Sequence, residues 1–372
     1  MKKCLSIFLT IVMVLSLATV TGCGNASNEP AGNEPAKSEP AKNEPTKNEP
    51  AKSETVKKEA IQLIYTHYQP GTPDQPKQAA ALAFEAYAEK ATNGEIDVII
   101  YPNSELGDGP TVLEGMQANT IQMTVVHDGP VSALYAPMGV FNMPFLFNSH
   151  AEAWTIYDSE YTKKLGEAML KETGIRSLGM ADNGIRHLTN SVRPIEKLED
   201  AAGLTIRIQP SVIYDNIISG IGANAVAVAW TELPAALQQG VADGQENGIT
   251  NILAAKLYET QKYATLDGHV YSYHAYLIGD EFWKSLTAKQ QEAIQQGVEL
   301  AKWIHRGMTA YQDDKAKMVL ESYGVKVTEL PPEEIQKFRE ATQPAVAKWM
   351  QETYGGTWVD DLLTEINSIR GK

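Results

Sequence analysis

Two arginines sit in this sequence where a guanidinium is costly to place. Arg207 lies in Leu204-Thr-Ile-Arg-Ile-Gln-Pro210, with isoleucine on both sides. Arg186 lies in Asn183-Gly-Ile-Arg-His-Leu188, a similar apolar setting. An ionised group at a buried strand end is unfavourable unless it meets an opposite charge. Arginine suits a carboxylate, which it grips through two parallel hydrogen bonds. The partner is either an anionic ligand or an internal Asp or Glu, and spacing alone leaves both readings open.

Other chemistry is sparse. The chain has no G-x-S-x-G elbow, no phosphate-binding P-loop and no H-E-x-x-H metal motif. The seven histidines, His67, His127, His150, His187, His269, His274 and His305, show no metal-ligand spacing. Gly220-Ile-Gly-Ala-Asn-Ala225 fits a loose G-x-G-x-x-A. It follows an expected helix and precedes an expected strand, the reverse of the dinucleotide-binding order. The only cysteines are Cys4 and Cys23, so everything beyond them lacks a thiolate nucleophile, a cysteine zinc ligand and a disulfide. The expectation is a protein that binds rather than catalyses, with no cofactor and no metal.

The elements that must position the arginines alternate between strand and helix. Ile61–Thr66, Ile96–Tyr101, Ile121–Val126 and Arg176–Met180 read as strands. Lys77–Ala91, Gly109–Ala118 and Ala151–Lys171 read as helices between them. The rhythm then restarts: strand Leu204–Ile208, helix Val212–Ile221, strand Ala225–Val228, and a helix Thr231–Gln239 with Thr231 as N-cap. Tyr271–Ile278 is β-like, Thr287-Ala-Lys-Gln290 has capping-box form, and helix follows Pro331-Pro332. This alternation implies α/β architecture with a parallel-type sheet covered by helices on both faces. Leu113–Gln122 and Ala236–Gln245 share a helix, small turn, strand rhythm, one copy in each half. Two similar halves suggest two lobes, with a ligand cleft at the carboxyl ends of the strands.

Before these elements comes a segment of another kind. Met1-Lys2-Lys3 is basic, Leu5–Val20 is apolar apart from Ser and Thr, and Val20-Thr-Gly-Cys23 closes the run with small residues. A run of about 16 residues falls short of the roughly 20 that span a bilayer, and it has the shape of a secretory signal. Residues 1–22 are read as a lipoprotein signal peptide, with Cys23 as the acylated N-terminus; two acyl chains suffice for stable anchoring. Residues 28–57 repeat a five-residue unit, NEPAG, NEPAK, SEPAK, NEPTK, NEPAK, SETVK. With almost nothing apolar to bury, residues 23–59 read as a disordered tether. At about 3 Å per residue the repeat reaches on the order of 90 Å when extended.

Charge excludes one class of partner. The chain carries −14, and with the signal at +2 and residues 25–59 at −1, residues 60–372 stand at −15. Nucleic-acid binding rests on cationic neutralisation of phosphate, so no nucleic-acid partner is expected.

With these residues in view, the chain resembles the solute-binding subunits of TRAP transporters, the tripartite ATP-independent periplasmic systems of the C4-dicarboxylate-binding (DctP) type. The similarity runs from about Ile61 to Tyr354 and rests on ordered segments: Tyr101-Pro-Asn-Ser-Glu-Leu-Gly-Asp108, Met143-Pro-Phe-Leu-Phe147, Asn183-Gly-Ile-Arg-His-Leu-Thr-Asn190, Ala202-Gly-Leu-Thr-Ile-Arg207, and Glu232-Leu-Pro-Ala-Ala-Leu-Gln-Gln-Gly-Val-Ala-Asp-Gly-Gln-Glu-Asn247. The resemblance implies a two-lobed, type II-like periplasmic-binding-protein fold with an interlobe cleft, a long crossing helix and long C-terminal helices. It implies lobe 1 from residues 60–183 plus about 273–312, and lobe 2 from 184–272 plus about 313–372. It also implies capture of an organic acid, with Arg207 on the carboxylate, and Arg186, Asn247, Trp230, His127 and Asp128 at the ligand. Asn247 has a second reading, as a cap for a helix starting near Ile249. Pro234 and Ala235 stand where relatives usually carry Val and an aromatic, which points to an altered pocket wall. The partners implied are TRAP membrane subunits, and the location is outside the cytoplasm, anchored at Cys23 to the outer face of the cytoplasmic membrane or in the periplasm. The competing function is a receptor that presents ligand to a sensor kinase.

Overall fold

A computed structural model describes residues 59–371. The signal segment, Cys23 and the five-residue repeats lie outside the described residues.

The chain opens with β1 (Ile61–Thr66), α1 (Pro76–Ala91), β2 (Ile96–Tyr101), α2 (Gly109–Gln117) and β3 (Met123–His127), which runs directly into α3 (Asp128–Leu134). A 3-10 segment, Ala136–Asn142, leads to α4 (His150–Tyr157) and α5 (Glu160–Thr173). The expected single helix over Ala151–Lys171 is therefore two. Ser159 caps the second through Thr162 N–H, and the Asp158 carboxylate at the break is taken by Arg306 and Lys302.

Next come β4 (Ile175–Asn190), β5 (Thr205–Ile208), α6 (Val212–Gly220) and β6 (Asn224–Ala227). Thr231 does not cap a helix: Trp230–Glu232 forms a short 3-10 turn, and α7 (Leu233–Gln238) begins after it with Pro234 in its first turn. Then follow β7 (Gly244–Gly248), α8 (Ile249–Ala254), β8 (Tyr263–Gly279) and α9 (Asp280–Ser285). The chain ends with α10 (Ala288–Asp314), α11 (Ala316–Ser322), β9 (Lys326–Glu329), α12 (Pro332–Tyr354) and α13 (Trp358–Ile369).

The sheet is mixed, not parallel throughout. Its order is β2-β1-β3-β8-β4-β7-β5-β6, with β9 beside β8. β1 pairs β2 and β3 in parallel, and β5 pairs β6 and β7 in parallel. Between these two groups run β4 and β8, antiparallel to each other and much longer than the pattern suggests. They join two lobes: the β1–β3 end, with its core of Leu63, Phe84, Val125 and Val298, and the β5–β7 end, with Leu233, Ile249 and Leu320. The pairing shifts register between Ser177 and Gly179, between Asp182 and Gly184 and between Arg186 and Leu188. Gly184 holds φ +97 there, a left-handed value that favours glycine.

The helix α10 has a 27-residue span, about 40 Å at 1.5 Å per residue. Thr287 and Gln290 form the expected capping box. Val298, Ala301, His305 and Thr309 recur at three- and four-residue spacing on its buried face.

The echo between the halves is real, displaced by two residues. Thr120 N–H bonds Gly115 O after α2, and Val241 N–H bonds Ala236 O after α7. Both turns use a left-handed residue, Asn119 and Gly240, and both lead to a five-residue strand that passes straight into a helix.

The glycines of the Asp243-Gly-Gln-Glu-Asn-Gly248 run serve this sheet. A Cβ on Gly244 would lie 2.1 Å from Thr189 O, and one on Gly248 2.4 Å from Asn183 O. Both obstacles are backbone in β4 and cannot swing aside. Gly248→Ala should therefore cost on the order of 2–4 kcal/mol by forcing β7 from β4, read as a lower midpoint in urea.

Candidate ligand-binding site

Three groups of elements converge where the lobes meet. The first lobe contributes Tyr68 after β1, Lys77 in the first turn of α1 and His127 at the end of β3. The crossing strands contribute Asn183, Arg186 and His274. The second lobe contributes Arg207 on β5, Gln209 just beyond it, Trp230, Asn247 at the end of β7 and Asn251 on α8. The cavity between them is narrow, about 20 Å³. That admits about one water. A second hollow of about 100 Å³ shares Tyr68, His127, Gln209 and Trp230 and extends toward Asp108 and Pro210.

Arg207 is 1% exposed and lies on a strand paired on both sides. Its Nε and Nη2 donate to Val228 O at 2.9 and 2.6 Å. No carboxylate among the described residues pairs with it. Burial pulls its guanidinium down to about 9, with Glu246 opposing and Arg186 adding to the fall. At neutral pH it remains a cation with donors to spare.

Arg186 is different, since its opposite charge is internal. Its Nε and Nη2 donate to Glu246 Oε2 and Oε1 at 2.5 and 2.8 Å, and its guanidinium lies 4.9 Å from the Tyr214 ring centroid. Burial alone would lower the guanidinium; the Glu246 carboxylate more than offsets that and holds it up. Glu246 continues to His269, which pairs with Asp267 at 2.8 Å. Arg186 borders the cavity as one end of a satisfied buried chain.

Asn247 and Trp230 also border it. Asn247 Oδ1 accepts from Gly248 N–H and from Asn251 Nδ2, and gives α8 no capping bond to its second or third residue. Trp230 Nε1 donates across the lobes to Tyr68 O at 3.3 Å. Burial keeps His127 neutral, pushed well below its ordinary range with Lys77, Arg186 and Arg207 nearby.

Asp128 does not reach the cavity. It is fully buried behind the wall, accepting from Gln209 Nε2 at 3.0 Å, Tyr214 Oη at 2.7 Å, Ser272 Oγ at 2.8 Å and Asn183 Nδ2 at 3.4 Å. Two donors from the second lobe and one from each crossing strand hold this first-lobe carboxylate, so it clasps the lobes. Pro234 and Ala235 are not a pocket wall either; both are exposed on α7 and touch no part of the cavity.

Lys77 and His274 also border the cavity, and the sequence reading missed both. Lys77 is 3% exposed, its backbone N–H bonds Gln69 Oε1, and its ammonium forms no ion pair or hydrogen bond with a described residue. Burial pulls it down to about 7. One signal was available: a lysine right after Pro76 opens a helix, where the dipole disfavours a cation. His274 left no such mark. Its Nδ1 lies 3.1 Å from Asp182 O, which places the proton there and leaves Nε2 a buried acceptor with no partner.

The unpaired ammonium has a measurable consequence. Its folded pKa lies below the unfolded 10.5, so burial costs stability fully below about 7, and the cost fades as pH rises toward 10.5. Without ligand, Lys77→Met should be more stable than wild type by on the order of 4 kcal/mol at pH 7. Denaturant midpoints of the two proteins should converge near pH 10.

A larger hollow of about 570 Å³ lies outside the lobe junction, between α5 and α10. Its cations are already partnered: Arg176 with Asp280, and Lys302 with Asp158 and Glu299. Among the described residues no group of three His, Cys, Asp or Glu is placed to hold a metal ion.

Two α/β lobes joined by crossing strands, closed on a cavity that holds an unpaired arginine, define a cleft-type solute-binding protein. The chain belongs to the family described as bacterial extracellular solute-binding protein, family 7, which it matches over residues 67–353. It is 32% identical over 278 residues to the C4-dicarboxylate-binding periplasmic protein DctP of Rhodobacter capsulatus, covering 73% of this chain and 82% of that one. The crystal structure of the sugar acid binding protein DctPAm from Advenella mimigardefordensis, in complex with galactonate, superposes with a TM-score of 0.79 at 29% identity, covering 83% of this chain and 98% of the other. A TRAP periplasmic solute-binding protein from Sulfurospirillum deleyianum with bound succinate does so at 0.76 and 26% identity, covering 83% and 99%.

Proposed function

We propose that this protein captures an organic acid between its lobes, with Arg207 gripping the carboxylate, and delivers it to TRAP-type membrane subunits. One observation carries the reading: a buried arginine with no carboxylate partner among the described residues faces an interlobe cavity. A guanidinium in that position is stabilised by an anion that brings two acceptor oxygens. Relatives support the chemistry, since similar structures hold galactonate and succinate. The unpartnered Nε2 of His274 suits a hydroxyl on the ligand.

The cavity is too tight to admit such an acid without movement. Entry therefore parts the lobes and breaks the Trp230–Tyr68 and Asp128–Gln209 contacts, and capture closes the lobes around the acid. Closure excludes water and strengthens the charge pair. In our reading the β4/β8 register shifts near Asn183 and Tyr273 mark the division between the lobes, and Cys23 carries the lipid that keeps the protein at the outer face of the membrane.

A thermal-shift screen of the purified protein against several hundred metabolites tests this. A ligand at 100 times its Kd stabilises by about 2.7 kcal/mol. Only organic acids should raise the melting temperature. Stabilisation by neutral sugars, amines or peptides would oppose the proposal.

A further inference from the structure

Outside the ligand cavity, where β4 turns at Gly184 and α10 ends, an imidazole stands between two buried carboxylates. His150 Nδ1 lies 2.7 Å from Tyr271 Oη and 3.8 Å from Asp182 Oδ2. Its Nε2 lies 3.8 Å from Asp313 Oδ2. Asp182 also accepts from Trp154 Nε1 at 3.0 and 2.8 Å. Asp313 Oδ2 accepts from Ile185 N–H at 3.1 Å. Asp313 Oδ1 has no partner among the described residues, and neither has Thr309 Oγ1 one turn before it. That Oδ1 faces Gly184, where an added Cβ would lie 3.1 Å from it. The carboxylates are 0% and 2% exposed, whereas His150 is 25% exposed and gives solvent a way in.

Two carboxylates thus share one imidazole, and the surrounding elements bring no second cation. Burial pushes the Tyr271 and Tyr157 phenols far up, so both stay neutral. Arg306, also on α10, is taken by Asp158. Asp314 and Lys315 pair with each other at the surface. α8, packed beside α10, has no titratable side chain. Asp313 also sits in the last turn of α10, where the helix dipole disfavours an anion. Burial pushes its carboxyl up to about 7; the Ile185 amide and His150 oppose the rise, and Asp182 adds to it. Burial works against a charged His150, but Asp182 and Asp313 prevail and hold it up.

In the lobe division given above, His150 and Asp182 belong to the first lobe, and Ile185, Tyr271 and Asp313 to the second. We propose that Asp313 is a proton-operated element of the hinge: closing the lobes packs its carboxylate against these first-lobe groups and takes up a proton there, so mild acid favours the closed form. The proposal goes beyond organic-acid capture and rests only on the lobe closure in that reading. Opening parts the two sets of groups and lets water reach Asp313, which returns it toward its ordinary 3.8. The closed form then has the higher pKa, so closure gains as pH falls through about 7. Lys77 titrates in the same window, so the effect is read against a variant that keeps Lys77.

Single-molecule energy transfer on the full chain tests this. Dyes go on exposed sites in each lobe, Ala86→Cys and Val241→Cys, with Cys4→Ser and Cys23→Ser removing the native thiols. Asp313→Asn fixes the uncharged form. The closed-to-open ratio with Asp313 present, divided by that of Asp313→Asn at the same pH, should rise about 10-fold from pH 8 to pH 6. His150→Gln removes the one cation between the carboxylates and should move this rise to higher pH. A quotient that stays flat from pH 8 to pH 6, or a rise that His150→Gln leaves in place, overturns the proposal. Acids that still raise the melting temperature of a protein with a flat quotient leave organic-acid capture standing without the proton link. A rising quotient in a protein that no acid stabilises supports the link and sinks the capture reading instead.

Discussion

Arg207→Ala is expected to lose at least 100-fold in affinity for the captured acid. The side chain is buried, and its free donors meet no carboxylate among the described residues. Truncating one partner of a buried, hydrogen-bonded charge pair costs 2–5 kcal/mol or more, because the other charge is left without a counter-ion. Here that stranded charge is the ligand's carboxylate, so the loss falls on affinity. The free protein should lose little stability, since the two bonds to Val228 O are given up together with a buried cation that meets no carboxylate among the described residues. Arg207→Lys should restore only part of the affinity, because an ammonium cannot reproduce the two-pronged grip. Calorimetric titration gives the affinities, and circular dichroism melts show whether the fold survives.

Glu246→Gln should have the opposite signature, a large loss of stability. Glu246 is the hinge of a buried chain that runs Arg186–Glu246–His269–Asp267. Removing one charge from such a chain leaves its neighbours uncompensated and costs about 3–5 kcal/mol. The pH profile separates this chain from Lys77. Asp267 is pulled down to about 2: burial works against this, but the His269 and His187 partners prevail. Its stabilisation is present above the unfolded carboxylate value and lost as pH falls toward 2. His269 is raised to about 9, again against burial, by Asp267 and Glu246. Its stabilisation is complete below the unfolded 6.5 and lost as pH rises through 9. Lys77 works the other way across an overlapping window, since its burial cost fades between 7 and 10.5. Wild type should therefore look flat between pH 7 and 9, Lys77→Met should decline there, and Glu246→Gln should be lower with a weaker His269 contribution. Denaturant titrations at half-unit pH steps provide the three curves.

Much of the fold was legible because it depends on local periodicity. β1 and β2 fall where alternation puts them, and the capping box at Thr287 starts α10 as expected. What local pattern could not show is β4 and β8. Both are buried along almost their whole length, so they carry no alternation, and polar runs such as Ala181-Asp-Asn-Gly184 interrupt them at the register shifts. Missing their length hid the antiparallel centre of the sheet.

The site was legible where an apolar setting made a charge conspicuous. That argument found Arg207 and Arg186, but not that one is paired inside the fold and the other is not. The distinction depends on Glu246, sixty residues from Arg186 in sequence and adjacent only through β4–β7 pairing. Asp128 misled for a related reason. A carboxylate beside an expected anion site invites a role at the ligand, yet its donors come from residues 55 to 144 positions away. Lys77 carried only the faint signal of a cation at a helix start.

The central claim is that a carboxylate occupies the cavity against Arg207. A crystal structure of the protein with its strongest thermal-shift ligand tests it most directly. The account predicts closed lobes, a ligand carboxylate within about 3 Å of the Arg207 guanidinium nitrogens, and the Arg186–Glu246 pair intact. A ligand held elsewhere, or one in the cavity with only neutral atoms facing Arg207, would contradict it.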